Sequence, residues 1–369
     1  VNFKRRALTR AGSIAAIAIA GTMLLSSCAA NEAPAAAPKA TASTAQVSGT
    51  LNGSGSSAQA NAETSWVAGF QGANPDATVN YASIGSGAGV TSFIAGGVQF
   101  AGSDAALTDA QLAGTFTGCA TGSKAIDLPV YIAPIAVAFN LKGIKTLNLD
   151  ATTIANIFSG KIKTWDDAAI KADNPGIKLP STAITAVHRS DSSGTTNNFT
   201  DYLAKAAPAA WPTAANNVFP YPGEAGAQNA GAASAAEAAD GSIAYLEASN
   251  IGTLSVAKLK VGSKYVAYSA KAAAAVVDAS TLVPSREKND LAYNIDRTTT
   301  AAGAYPLVLV SYFIACQNYT DPAVGALVKA YASYVASAAG QQAAATAVNS
   351  APLSATLSKE VAAAIATIK

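Results

Sequence analysis

The sequence predicts an α/β protein with mainly parallel sheets. Three observations carry this. Short β-rich runs alternate with stretches whose apolar residues recur at helical spacing. Small, polar residues fill the strand-to-helix junctions, and no internal repeat of fixed period interrupts the alternation. The first strand is read over QVSGTL, followed by GSGSS and a helix whose Ala62, Trp66 and Phe70 share one face. Next come the strand TVNYA, the loop SIGSGAG and a helix marked by Val90, Phe93 and Ile94. The strand VQFAG leads through Ser103 and Asp104 into a helix over ALTDAQL. Two long apolar runs, LPVYIAPIAVAFN and YPLVLVSYFIAC, bracket a helix at ATTIANIFSG, a strand at ITAVHR and a strand at SIAYLE. The chain closes in alanine-rich helices, VGALVKAYASYVAS and LSKEVAAAIATI.

Four junctions share one chemistry: GSGSSA, IGSGAG, GSDA and RSDSSGT. Each exposes backbone N–H groups and carries a hydroxyl or carboxylate. In an open α/β sheet such loops gather at the carboxyl ends of the strands. A helix start offers free N–H donors and a positive dipole end. One such loop reads as an ordinary capped turn. Four of them point to an anion site.

The composition excludes other classes. A net charge of +2 gives no basic field for nucleic acid. Lys4, Arg5, Arg6 and Arg10 precede Cys28 and no acid does, so loss of residues 1–27 turns +2 into −2. FKRRALTR reads as the basic start of a signal peptide, residues 1–27. AGSIAAIAIAGTMLL supplies 15 apolar-core residues, short for a membrane span. The following LSSC resembles a lipobox, in which Cys28 is acylated and becomes the first residue; the alternative is an uncleaved anchor. Residues 28–46, rich in Ala, Pro, Thr and Ser, read as a disordered tether spanning roughly 20–25 Å as a flexible coil. Cys119 and Cys316 remain, in an exported and oxidising context, and are expected to pair; two buried thiols are the alternative.

Several sites do not hold up. GSGSSA lacks the acid expected about 20 positions on in a dinucleotide fold. No Walker A sequence and no Gly-x-Ser-x-Gly elbow is present. One histidine and two remaining cysteines do not make a usual zinc site, so neither metal nor cofactor is expected. His188 reads as a packed or rim residue, and Trp165 and Trp211 as residues packing domain surfaces.

The stretch IFSGKIKTWDDAAIKADNPGIKLPSTAITAVHRSDSSGTTNNFTDYL, with the spacing of GSGSSAQ, IGSGAGV and FAGSDAALT before it, resembles the phosphate-binding proteins of high-affinity phosphate ABC transporters. The likeness runs from about residue 48 to 320. It implies a two-lobed periplasmic-binding-protein fold of type II with the ligand cleft between lobes. Lobe 1 would hold 47–132 and 306–369, and lobe 2 would hold 133–305, with crossings near Ile132–Pro134 and Tyr305–Pro306. Hinge closure on a ligand is general behaviour of such proteins. By position, Ser57 donates its hydroxyl, the Ala58 N–H assists, and Ser86 lies in the second glycine loop. Asp104 accepts a proton from phosphate, or else caps the ALTDAQL helix. Arg189 supplies a charged fork oriented by Asp191, or else forms a structural ion pair. Ser193, Gly194 and Thr195 close the cradle. Two departures stand out: Ala58 replaces a frequent aromatic residue, and GEAGAQNAG at 223–231 lacks the acid expected after Asn229.

The resemblance implies a monomeric, lipid-anchored receptor on the extracytoplasmic face of the cell membrane. It would deliver inorganic phosphate to the permease and ATPase subunits of an ABC transporter without chemistry on the ligand. The rivals are a phosphatase-like hydrolase on the same scaffold, a binder of another oxyanion such as sulfate, and a surface interaction protein that has kept only the fold.

Overall fold

The structure is a computed structural model that describes residues 46–369; the signal peptide, Cys28 and nearly all of the tether lie outside the described residues. The opening run is β1 (Gly49–Gly55), α1 (Ala60–Ala73), β2 (Ala77–Ser83), α2 (Ser86–Ile94), β3 (Phe100–Ser103) and α3 (Asp109–Leu112). The first long apolar run is one strand, β4 (Ala125–Asn140). Then come β5 (Asn148–Leu149), α4 (Ala151–Phe158), α5 (Ala168–Asp173), β6 (Thr185–Arg189), α6 (Gly194–Ala206), β7 (Glu224–Gly226), α7 (Gln228–Ala238) and β8 (Ser242–Glu247). Small elements follow: β9 (Ser255–Val256), β10 (Lys258–Val261), β11 (Lys264–Val266), α8 (Ala270–Ala279), β12 (Thr281–Leu282) and β13 (Tyr293–Asn294). The second apolar run is β14 (Val308–Cys316), and α9 (Pro322–Ala336), α10 (Ala338–Val348) and α11 (Ala355–Ala366) end the chain.

The main sheet runs β2-β1-β3-β14-β4-β8-β6-β7, with β9 also on β4. β1 pairs in parallel with β2 and β3, and β6 with β7 and β8. The two longest strands break the expected parallel pattern. β14 is antiparallel to β3 and β4, and β4 is antiparallel to β8. Periodicity marks these strands as doubly buried but carries no direction, and either direction buries both faces equally well.

β4 joins the two lobes. Its residues up to Pro134 pair with β14, and from Ile135 onward they pair with β8. At the switch, Ile135 N–H donates to the Leu307 carbonyl at 2.8 Å, and Tyr305 O–H donates to the Ile135 carbonyl at 2.9 Å. Arg297 packs beside this point, its Nη1 donating to the carbonyls of Pro306 and Val308 and its Nε to Asp201. Residues 283–293 lie against the β3/β4 side: Leu291 N–H donates to the Asp127 carbonyl, Tyr293 N–H to the Tyr312 hydroxyl, and Arg286 to the Leu107 carbonyl.

Each lobe has an aromatic core. Phe100 stacks on Phe313 with centroids 4.6 Å apart, under Tyr331 of α9. The α1 face is buried as expected, and Trp66 donates its indole N–H to the Gly340 carbonyl at 2.8 Å. In the other lobe Phe199 stacks on Tyr245 at 4.2 Å. Trp165 and Trp211 are core residues here rather than surface packers: both are buried, Trp165 against Phe139 and Trp211 against Phe199. Cys119 and Cys316 are bonded, with Cα atoms 5.3 Å apart.

Candidate functional site

The candidate site gathers at the strand-to-helix junctions. β1, β2 and β3 end in loops on one wall; β6 and β7 end in loops on the other. The walls touch. Gly87 N–H donates to the Ser192 carbonyl at 3.0 Å. An added Cβ at Gly194 would lie 2.7 Å from Ser86 Oγ and 2.8 Å from Asp104 Cβ, so only glycine allows this approach. Gly85 has the same duty, with φ at 93° and Asp191 Oδ2 only 2.4 Å from where a Cβ would stand.

Arg189 is the last residue of β6 and is buried. Its N–H donates to the Tyr245 hydroxyl at 3.1 Å, which sets the backbone, and Tyr245 also meets Thr196 Oγ1 at 2.7 Å. The side chain gives Nε and Nη2 to the two oxygens of Asp191, at 2.8 and 2.5 Å. That edge of the fork is committed to Asp191, and Nη1 reaches Thr195 Oγ1 at 3.5 Å. Asp191 also accepts the Gln228 N–H at 2.9 Å. Burial pushes its carboxyl up, but the hydrogen bond and charge of Arg189 outweigh it and leave the group below the usual carboxylate range.

Asp104 follows β3 and is 3% exposed. It does not cap a helix. The expected ALTDAQL helix shrinks to α3, capped by Thr108, whose hydroxyl accepts the Gln111 N–H in a capping box. Asp104 Oδ1 accepts from Ser56 and Ser311, and Oδ2 from Thr195 at 3.1 Å. Burial pushes this carboxyl above its ordinary range; those three hydroxyls and the Arg189 charge pull it back only in part.

The remaining residues fall around this pair. Ser57 Oγ accepts both the backbone N–H and the side-chain amide of Asn229, each at 3.1 Å, which leaves its own proton to donate. Ser86 opens α2, and its oxygen accepts the Asp104 N–H at 3.2 Å. Thr195 is fully buried and lies between Asp104, Arg189 and Asn229. Ser193 is the N-cap of α6: its oxygen accepts the Thr196 N–H, and its own N–H goes to the Asn217 carbonyl. The Ala58 N–H is directed at Ser56 Oγ at 3.0 Å. His188 stacks on Phe219 at 4.7 Å, with Nδ1 on the Arg189 carbonyl. Among the described residues no three His, Cys, Asp or Glu side chains gather as a metal site.

Four residues were not among the expected set: Ser56, Ser311, Gln228 and Asn229. Ser311 left a trace in the sequence, as the one serine inside an apolar run. Asn229 lies in the loop that lacks the expected acid, yet its side chain is buried and spans the cleft, with Oδ1 accepting the Glu247 N–H at 3.1 Å. Gln228 holds this corner at φ 59°, a strained value for a residue with a Cβ.

The chain matches the PBP superfamily domain over residues 40–339. It is 38% identical over 330 residues to phosphate-binding protein PstS 3 of Mycobacterium leprae, covering 86% of this chain and 88% of the relative. It is also 38% identical over 339 residues to phosphate-binding protein PstS 3 of Mycobacterium tuberculosis, covering 88% and 90%. Among solved structures, it is similar in fold to a high-affinity periplasmic phosphate-binding protein, PfluDING, with a TM-score of 0.69 at 23% identity, covering 85% of this chain and 93% of that one.

Proposed function

We propose, for a chain that belongs to the PBP superfamily and within it to the family of PstS phosphate-binding proteins, that it binds inorganic phosphate and delivers it to an ABC-type permease. One observation carries the reading. A buried guanidinium, Arg189, and a buried carboxylate, Asp104, converge on the same hydroxyl, Thr195. A site for a bare anion needs donors alone. A site with one ionised acceptor among its donors suits an anion that keeps a proton. Phosphate near neutral pH always carries at least one O–H; sulfate carries none.

In this reading Arg189 and Ser57 donate to phosphate oxygens, α6 presents its N-terminus at Gly194 and Thr195, and Asp104 Oδ2 accepts the ligand's proton. Ser86 and Gly194 bring the walls together. The ligand leaves chemically unchanged: the one histidine stacks on Phe219 with Nδ1 on a backbone carbonyl, which does not pair it with a hydroxyl nucleophile as a base would be. The lobes divide as 47–132 with 306–369 and 133–305, and closure pivots beside Ile135 and Leu307. The mature chain starts at acylated Cys28, and residues 28–46 tether a monomer to the extracytoplasmic face of the membrane, near the permease and its ATPase subunits.

Equilibrium dialysis of the purified protein with labelled phosphate tests the reading. Saturable binding that a thousandfold excess of sulfate does not displace is expected; equal competition by sulfate overturns it. Release of phosphate from a phosphomonoester would overturn the absence of chemistry. Cys28→Ser is expected to release the protein from membranes, and unchanged retention with normal processing would defeat the anchor.

A further inference from the structure

The hydroxyls around Asp104 are divided unequally between its two oxygens. Ser56 and Ser311 both donate to Oδ1, at 2.5 and 2.6 Å, while Thr195 alone meets Oδ2. The direction of the Ser56 bond is fixed. Its oxygen already accepts the N–H groups of Ala58 at 3.0 Å and Gln59 at 3.3 Å, so its proton goes to Asp104. A proton on Oδ1 would meet the Ser56 donor head-on and would force the Ser311 hydroxyl to turn from donor to acceptor. Ser311 lies mid-strand in β14, where every residue is buried, and its hydroxyl bonds the Asp104 carboxylate.

We propose that Ser311 is a specificity-determining residue: by fixing Oδ1 as an acceptor it keeps Asp104 ionised and leaves Oδ2 as the one oxygen able to receive a ligand's proton. This rests on the reading of Asp104 as the acceptor of the phosphate O–H. Burial drives Asp104 toward its neutral form, and the Ser311 hydrogen bond is the strongest influence opposing it, ahead of Ser56, the Arg189 charge and Thr195. The other titratable and charged groups act from further off. They are Tyr81 of β2, Tyr131 of β4 with Glu247 beyond it, Asp191 behind Arg189, and Arg297, which reaches the Asp104 carbonyl through Asn198. None of them hydrogen-bonds a carboxylate oxygen of Asp104.

Loss of the Ser311 hydroxyl lets Asp104 protonate at higher pH. A protonated Asp104 presents an O–H where it had presented a lone pair, and the site then accepts an oxyanion that has no proton of its own. Sulfate is the probe. The wild-type protein, Ser311→Ala and Asp104→Asn are compared for binding of labelled phosphate with sulfate as competitor from pH 5 to 8, with a melting curve for each. In Ser311→Ala, phosphate affinity at pH 8 stays within about tenfold. Discrimination against sulfate at pH 6 falls about tenfold, the worth of one hydrogen bond to a charged group. The pH at which sulfate begins to compete moves upward, and Ser311→Thr, which restores the hydroxyl, moves it back. A purely structural Ser311 would weaken both anions alike and leave that pH where it was, which overturns the proposal. If Asp104→Asn keeps full discrimination, the underlying reading of Asp104 has failed. If Asp104→Asn loses it while the Ser311→Ala profile does not move, only the role of Ser311 has failed. Should Ser311→Ala melt too low to assay, Ser56→Ala removes the other Oδ1 donor; the same shift is expected, and an unmoved profile overturns the proposal.

Discussion

The two walls of the cleft differ in charge and in how they are built. The wall after β6 and β7 holds the cation: Arg189, locked by Asp191, with the start of α6 beside it. The wall after β1, β2 and β3 holds serine hydroxyls and a buried carboxylate, Asp104. On the proposed reading the first of these walls attracts any anion, the second repels any anion that cannot give Asp104 a proton, and attraction and discrimination lie on opposite sides of the cleft.

The largest expected effect is on selectivity. Sites built to bond a ligand hydroxyl reject analogues lacking it by about 10⁴-fold or more. Asp104→Asn is expected to lose most of that margin between phosphate and sulfate while phosphate affinity changes far less, as competition binding would read. A preserved margin would mean that discrimination does not reside on this wall. Next comes attraction. Arg189→Ala is expected to weaken phosphate by about a hundredfold or more, and Arg189→Lys by less, because lysine restores the charge without the fork. Calorimetry on both variants checks this, and the ratio of sulfate to phosphate affinity should stay put.

A third test probes what stands behind the carboxylate wall. Glu63 of α1 is buried, with Tyr331 donating to Oε2 at 2.6 Å. Its Oε1 has no donor, and neither has Oε1 of Gln59 one helical turn earlier. A protonated carboxyl accounts for the bare Glu63 oxygen. Burial pushes Glu63 up to about 7, against the Tyr331 bond. The unfolded chain gives up that proton near 4.5, so the stabilisation is whole below that pH and is lost as pH rises through about 7. The loss is at most about 3 kcal/mol. Melting temperatures should fall between pH 5 and about 7 and level off above it, and Glu63→Gln should flatten that fall; an unchanged slope would put the titrating group elsewhere. Glu247, at the other lobe's end of β8, is also pushed up to about 7 by burial, but it accepts from Tyr131, Ser249 and Asn250. The smallest effect is expected from Asn229→Ala. It removes one amide donor that bridges the walls through Ser57 and should cost phosphate affinity about tenfold, seen as faster release in stopped-flow measurements.

What the sequence made legible follows distance along the chain. Arg189, Asp191, Ser193, Gly194 and Thr195 lie within one strand end and one helix start, so a single junction, matched to the resemblance, held them together. Ser311 lies 207 positions from Asp104, and Asn229 lies 172 from Ser57. Contacts that distant depend on strand order and direction, which alternation of apolar residues does not encode. The same limit explains why β4 and β14 were read as strands without their antiparallel sense. The shortness of α3 has a different cause: its apolar pattern is helical, but the Thr108 capping box starts the helix late.

The bridge between Cys119 and Cys316 ties off a ring of chain that contains the whole of β4 through β14. Arg189, Thr195, Asn229 and Ser311 ride on the ring; Ser57, Ser86 and Asp104 ride on the open chain before it. A pull on the two ends of the molecule therefore passes through the sulfurs and bypasses the ring. Under load the backbone of the ring carries no covalent tension, and a single protease cut within it leaves the severed pieces covalently joined.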